Sequence, residues 1–242
     1  DLDVSKLFLN ATHSHTAPGL LDNEFKGLYD LRDDPGVLRP SEFEALFIDR
    51  VSAAVVRAWQ ARRPGGFSWG LGHAVLGHNR RTVKTDGSAR MYGVGEPDFS
   101  HYEGPNDDRV GMLFFWDDQR NLTGLVVNSV ATAQVTDGTN FVSADFYHDA
   151  REALRKRLGQ GLFVVFQVGA AGDITPVNHE YAYRRAEEAM LKRKGLTARQ
   201  ELAERLARAV AEVLPYVKDD IADAPVFKHA AARAQLPVKD PP

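Results

Sequence analysis

An apolar run at residues 162–168, in which Gln167 is the one polar residue, constrains the fold more than any other feature of this sequence. Continuous apolar segments of this length are typical of strands that a sheet buries on both faces. The run is followed by a small-residue loop at 169–178 and by a charged helical segment that ends near Gly195. This order predicts an α/β fold with the loop at the carboxyl end of a central strand, where open sheets bind their ligands.

The remaining segments predict a mixed β-sheet flanked by helices. Residues 110–116 and 122–130 are rich in β-branched and aromatic residues and predict a hairpin, and Asp86-Gly87 predicts the turn of another. A short buried strand is predicted at residues 4–11. Capping residues mark the starts of three helices, at Ser41 with Glu44, at Ser143, and at Thr197 with Gln200.

Composition narrows the class of protein. The chain has 242 residues, of which 43% are hydrophobic and 26% charged, so it can bury a substantial core. Its formal net charge of −3 and scattered basic residues predict no nucleic-acid partner, and no apolar run approaches the roughly 18 residues of an integral membrane segment. The absence of cysteine excludes disulfides and thiolate metal sites. Because a core-like apolar segment follows Asp1 almost at once, we expect residues 1–242 to be a single domain cut from a longer chain.

Two histidines provide the first candidate chemistry. His13 and His15 are two residues apart, and in an extended backbone both imidazoles would point to the same side. Such a pair could supply two metal ligands, or one ligand and one hydrogen-bond donor. Zinc favours imidazole, and catalytic zinc sites use three protein ligands with one position open. The pair alone is also compatible with loop histidines that bind only backbone or water.

Two further tracts place polar side chains in loops. In the loop at 169–176, Asp173 could orient a histidine, and the Thr175 hydroxyl could attack or hydrogen-bond a substrate. The same two residues could instead act as caps in a tight strand–helix loop. Arg80 could hold an oxyanion or a carboxylate, or it could lie at the solvated end of a hairpin.

Taken together, these tracts resemble one family. The loop Thr12-His13-Ser14-His15 with Pro18-Gly19, the step Asn79-Arg80 and the tract Gly172-Asp173-Ile174-Thr175-Pro176 occur in the order found in the neutral/alkaline (non-lysosomal) ceramidases. The strand pair at 110–116 and 122–128 and the segment at 142–145 are similar to the catalytic domain of that family. The resemblance extends to about residue 215.

The resemblance implies a zinc-dependent amidase that cleaves the N-acyl bond of a sphingolipid-like substrate. It implies His13 as a zinc ligand, His15 near the substrate oxyanion and Arg80 as a polar contact to the substrate. Thr175 has the position of a family serine close to the zinc, in the same tract as Asp173. We also expect a small-molecule or lipid-like amide as the partner, and a secreted or periplasmic location.

Three departures from the family pattern bear on the metal site. The family has a second zinc histidine close to Thr132, where this sequence has Ala131-Thr132-Ala133-Gln134. His148 lies just downstream and is the metal ligand we predict in its place, with Asp145 as a weaker candidate, although an exposed helical histidine would also explain His148. Thr175 replaces the family serine, and its extra methyl restricts the rotamer. A glutamate and a tyrosine that the family contributes to zinc have no identified counterpart.

Three hypotheses about function follow. The first is a metal-dependent hydrolase of the ceramidase-like class, in which a metal-bound water attacks an amide carbonyl. In that hypothesis His15 and Arg80 stabilise the oxyanion, and Asp173 and Thr175 position water or substrate. The second is a catalytically silent binding module that kept the fold but lost the metal, which the Thr132 region motivates. The third is a hydrolase acting on a different amide or on a glycan.

Overall fold

The computed structural model describes residues 2–20, 35–226 and 228–237. A 3-10 helix at Val4–Lys6 comes first in the chain. The helices and strands that follow are α1 (Pro40–Gln60), β1 (Gly66–His73), β2 (His78–Asn79), β3 (Arg81–Lys84), β4 (Ala89–Met91), β5 (Phe99–Tyr102), β6 (Arg109–Trp116), β7 (Leu122–Ser129), α2 (Phe146–Leu158), β8 (Phe163–Val168), β9 (Ile174–Thr175), α3 (Tyr181–Lys194) and α4 (Ala198–Val217).

The main sheet has four strands in the order β1-β6-β7-β8. Strands β1, β6 and β7 pair antiparallel, whereas β8 is parallel to β7 and reaches it through helix α2. Two smaller sheets, β4-β3-β5 and β2-β9, lie outside it. The predicted α/β class, a mixed β-sheet with flanking helices, is confirmed. Both predicted hairpins are also confirmed, and Gly87 takes the positive φ of 84° that the β3–β4 turn requires.

The core lies between one face of the sheet and helices α2 and α4. Strand β6 buries every second side chain, so Val110, Met112, Phe114 and Trp116 point into the core, as a period of two requires. The indole of Trp116 donates a hydrogen bond of 2.9 Å to the hydroxyl of Ser68, which satisfies its polar atom inside the core. No described helix is both long and apolar enough to cross a membrane.

The N-cap residue predicted from the sequence is correct for α4 but not for α2 or α1. Thr197 caps α4 as predicted, because its hydroxyl accepts from the N–H of Gln200 while Gln200 Oε1 accepts from the N–H of Thr197. Helix α2 is capped by Asp145 instead of Ser143, since an Asp145 carboxylate oxygen accepts from the N–H of Phe146. Helix α1 begins at Pro40, one residue before Ser41, because proline is favoured in the first helical turn.

Two strand predictions are wrong. Residues 4–11 form no strand, and Phe8 and Leu9 are 70% and 82% exposed. The segment is attached through the side chain of Asn10, which exchanges two hydrogen bonds with the backbone of Val168, instead of through a backbone ladder. Strand β8 is an edge strand of the described sheet, with Phe163 exposed, and not its buried centre. An apolar run predicts a strand but cannot specify how many neighbours it pairs with.

Candidate functional site

The loops of the candidate site leave the main sheet side by side. Strands β7 and β8 are parallel, so their carboxyl ends lie at the same edge, where the N–H of Gly169 donates to the carbonyl of Ser129 at 2.8 Å. Loops 130–137 and 169–175 begin at this edge. A small apolar cluster joins the two loops and consists of Val130, Ala171 and Ile174. This is the edge at which open α/β sheets bind ligands.

The histidine loop is attached to the loop after β7. The N–H of Ala133 donates to the carbonyl of Thr12 at 2.9 Å, and the N–H of His15 donates to the carbonyl of Ala133 at 3.3 Å. His13 has a φ of 57°, so the backbone is not extended here as the sequence argument assumed. The two rings are nevertheless adjacent, with 3.1 Å between their Nε2 atoms.

Two side chains from the loop after β7, Asp137 and Gln134, contact the ring of His15, and Thr132 holds one of them. The Nδ1 atom of His15 lies 3.2 Å from Oδ1 of Asp137, and Nε2 of Gln134 lies 3.0 Å from Nε2 of His15. The hydroxyl of Thr132 donates to Oε1 of Gln134 at 2.5 Å, which directs the amide nitrogen towards the histidines. Thr132 and Gln134 are buried. Neither Gln134 nor Asp137 was predicted as a contact of His15, because the tract that contains Gln134 attracted attention only through its missing histidine.

The start of helix α2 holds this loop in place. The carboxylate of Asp145 is fully buried and accepts from the N–H and the hydroxyl of Thr136, at 2.8 and 2.6 Å. Since its other oxygen caps Phe146, Asp145 is engaged in holding the loop and not directed at the histidines. Tyr147 donates to the carbonyl of Ala131 at 2.6 Å, and burial raises the pKa of Tyr147 to about 12. The loop that surrounds His15 is therefore fixed at both ends.

Arg80 lies on the other side of the site, where β2 pairs with β9. Its N–H donates to the carbonyl of Asp173 at 2.7 Å, which joins the two tracts singled out in the sequence. Its guanidinium donates to the hydroxyl of Tyr92 at 3.0 Å and to the carbonyl of Gly172 at 2.9 Å. Two of its five N–H groups are used in these bonds, and Nε has no partner within the described part of the chain. The guanidinium is thus held in a fixed orientation, and its remaining N–H groups are left to donate to a ligand.

Two aromatic side chains next to Arg80 were missed from the sequence. The rings of Tyr92 and His179 lie 4.5 Å apart, centroid to centroid. Tyr92 has a φ of 59°, which is unusual for a bulky residue and, like the φ of His13, identifies a strained backbone of the kind found at functional sites. No local pattern in the sequence predicted either residue.

Asp173 and Thr175 lie in the predicted loop, and the hydrogen bonds of their side chains stabilise this part of the structure. The carboxylate of Asp173 accepts from the amide of Asn79 at 2.9 Å and has no histidine as a described hydrogen-bond partner. Thr175 is only 5% exposed, and its hydroxyl accepts from the N–H of Val177 at 3.3 Å. Neither residue caps the helix that follows, because the N-cap of α3 is Glu180; Asp173 holds Asn79, and Thr175 closes its own turn. A direct catalytic role for either residue stays a prediction.

Burial favours the neutral form of two imidazoles, those of His13 and His179. Burial lowers the pKa of His13, and the charge of Arg80 contributes in the same direction. Burial, with the charges of Arg184 and Arg80 among the other causes, also lowers the pKa of His179. Neutral imidazole is the form that binds metals or accepts protons.

The histidine pair has part of what a zinc site requires. Two nitrogens bound to one tetrahedral zinc at roughly 2.0 Å lie roughly 3.3 Å apart, close to the 3.1 Å between His13 and His15. Asp137 at Nδ1 of His15 is the type of carboxylate that orients metal-binding histidines. However, the described residues include no group of three or more His, Cys, Asp or Glu side chains that could hold an ion. His148 is exposed on the first turn of α2, and its ligand role stays a prediction.

Comparison with solved structures identifies the type of fold, whereas comparison with known sequences finds no match. No family model matches the sequence, and no curated protein matches it. A structure described as ceramidase complexed with C2 has a TM-score of 0.57 at 19% identity, over 85% of this chain and 30% of that chain. The neutral ceramidase from Pseudomonas aeruginosa has a TM-score of 0.49 at 17% identity, over 72% of this chain and 26% of its own. The fold is therefore ceramidase-like, and this chain spans less than a third of the length of either structure.

Proposed function

We propose that this chain is a metal-dependent hydrolase of the ceramidase-like class, which cleaves the N-acyl amide bond of a sphingolipid-like substrate. The observation that carries the proposal is the contact between His13 and His15, in a loop attached to the carboxyl edge of β7 and β8. Metal-binding imidazoles and a fixed guanidinium on connected loops are suited to hydrolysis of a carbonyl compound, because charge develops on the carbonyl oxygen. The ceramidase-like fold supports the choice of an amide as substrate.

Zinc, when bound, supplies a Lewis acid that polarises the carbonyl and lowers the pKa of water. His13 and His15 are the residues that would hold it, because their Nε2 atoms converge and Asp137 orients the second ring. The resemblance also suggests His15 as an oxyanion contact, but its distance to His13 suits the ligand role better. Arg80 then provides the donors to the oxyanion, since Tyr92 and Gly172 fix its guanidinium. These assignments rest on donor chemistry and spacing.

Asp173 and Thr175 contribute to this function by fixing the loop in which they lie. Asp173 holds Asn79, the neighbour of Arg80, and so helps to set the position of the guanidinium. The Thr175 hydroxyl is buried in its own turn, which supports a structural role. His148 remains a candidate for a further ligand through its position at the start of α2.

A silent binding module is the second candidate function. One observation favours it: the buried amide of Gln134 already hydrogen-bonds His15, in a tract where the family resemblance requires a metal-binding histidine. Under this alternative the loops bind an amide without cleaving it. A substrate panel separates the two functions.

The test incubates the zinc-supplemented chain with an N-acylated sphingoid base, a chromogenic acyl anilide, an acyl ester and a chromogenic glycoside. We expect a free fatty acid and a free amine from the N-acylated sphingoid base, detected by mass spectrometry, and no cleavage of the glycoside. Binding of the sphingoid amide without product would support the silent module. Cleavage of the glycoside alone would contradict the proposed amide substrate.

A further inference from the structure

The positive charge of Arg80 has no ion-pair partner among the described side chains. Its guanidinium donates to the hydroxyl of Tyr92 at 3.0 Å and to the carbonyl of Gly172 at 2.9 Å, and both acceptors are uncharged. The adjacent Arg81 instead forms two hydrogen bonds with the carboxylate of Glu103. A guanidinium that is held without a carboxylate favours an anionic ligand, because its strongest hydrogen bonds are those to ionised acceptors.

Tyr92 holds Arg80 through both its backbone and its side chain. Its N–H donates to the carbonyl of Arg80 at 2.8 Å, and its hydroxyl accepts from the guanidinium. The φ of 59° at Tyr92 is strained for a bulky residue, and the ring of His179 packs against the phenol with 4.5 Å between the centroids. Strain of this kind persists only where surrounding contacts fix it, so the guanidinium is oriented before a ligand binds.

The free donors of Arg80 match a carboxylate in number. Two of the five guanidinium N–H groups are used, which leaves one on each terminal nitrogen and the one on Nε. A carboxylate accepts two N–H bonds from a guanidinium when it binds in the bidentate geometry. Tyr92 is 45% exposed and Gly172 is also exposed, so the terminal nitrogens lie beside a surface that a ligand can reach.

We infer that Arg80 binds a carboxylate, with Tyr92 as its positioning residue, and that this carboxylate is the fatty acid released by the proposed hydrolysis. The identity of the acid rests on the proposed function. Hydrolysis breaks the C–N bond of the amide, adds the oxygen of water to the acyl carbon and passes both protons of the water to the amine. A neutral carbonyl group thereby becomes an anion with two oxygens, which a guanidinium binds more tightly than the amide. The product therefore stays bound and competes with the substrate.

The experiment titrates sodium octanoate and octanamide, which share one alkyl chain, into the whole chelator-treated chain and measures binding by calorimetry. We expect wild-type protein to bind octanoate more tightly by about 10-fold or more, because hydrogen bonds to charged groups are the stronger ones, and Arg80→Met should abolish this preference. Tyr92→Phe keeps the ring beside His179 but removes the hydroxyl, so the octanoate affinity should fall by about 2–10-fold and the octanamide affinity should stay unchanged. Arg81→Met is the matched control and should change neither affinity, because that arginine already has a carboxylate partner.

Equal affinity of the wild type for the two ligands, or an unchanged preference for octanoate in Arg80→Met, would overturn the inference. Equal losses for both ligands in Tyr92→Phe would indicate a damaged fold and contradict the positioning role. In the hydrolysis assay octanoate should raise KM without lowering kcat, and an active enzyme that octanoate does not inhibit would overturn the assignment of the product. Because the calorimetry needs neither metal nor turnover, failure to hydrolyse any amide would contradict the proposed function and leave the carboxylate site standing.

Discussion

Replacing Asp145 with alanine lowers the free energy of unfolding by about 3 kcal/mol, as urea denaturation monitored by tryptophan fluorescence will measure. The carboxylate is fully buried and accepts three hydrogen bonds, two from Thr136 and one from Phe146. Its loss removes the N-cap of α2, at about 0.5–2 kcal/mol, and leaves buried donors unsatisfied, at about 1–3 kcal/mol. Because Thr136 follows the segment that contacts His15, the loop around the histidines loosens as well.

The glycine variant at the same position separates the carboxylate from the backbone. Asp145 has a φ of 53° and a ψ of −151°, a region that glycine adopts without strain and alanine does not. Asp145→Gly should therefore be more stable than Asp145→Ala by about 1 kcal/mol, although both lack the carboxylate. An alanine variant as stable as the wild type, or a glycine variant less stable than the alanine one, would show that the residue does not fix the loop in this way.

Replacing His13 with alanine reduces amide hydrolysis by more than about 100-fold, since it removes a proposed metal ligand, and even residues that only orient ligands are worth about 10–100-fold. Asp137→Asn should cost about 10–100-fold, because it weakens the partner of His15 Nδ1 but leaves both imidazoles. Initial rates on the N-acylated sphingoid base, with each variant checked for its fold, measure both effects. Exposed His101, on β5, is the matched control, and its alanine variant should retain full activity.

Activity of His13→Ala within about threefold of wild type would remove the histidine pair from the mechanism. Equal losses of activity in the His13 and His101 variants would indicate a general loss of stability and not the loss of a catalytic site. We expect the largest loss of activity for the His13 variant, a smaller loss for the Asp137 variant and no loss for the His101 variant.

The sequence predicted the site loops because each contains a local signal. A histidine pair, an Asn-Arg step and a small-residue loop are recognisable within a few residues, and the pairing of β2 with β9 brings the last two together. Gln134 contacts His15 across 119 positions of sequence, and Tyr92 meets His179 only after β3 and β9 are in place. Contacts of this kind depend on tertiary pairing, so a single sequence carries no pattern for them.

Fold prediction succeeded for the hairpin and failed where a single apolar segment was the only signal. Two neighbouring segments rich in β-branched and aromatic residues predicted the pairing of β6 with β7, as the structure confirms. The continuous run in β8 specified a strand but not its position at the edge of the described sheet. Residues 7–9 are apolar yet exposed, because the attachment of this segment depends on Asn10 and not on a strand ladder.

The most direct test of the central claim is the metal dependence of amide cleavage by the wild-type chain. The chain is stripped with a chelator, dialysed and assayed on the N-acylated sphingoid base as zinc is added back. The account predicts that fatty-acid release disappears with the metal and returns as zinc is restored, at the high zinc concentrations that a site with two imidazole ligands requires. Cleavage that persists unchanged after the metal is removed, or that zinc fails to restore to a folded chain, would contradict the account.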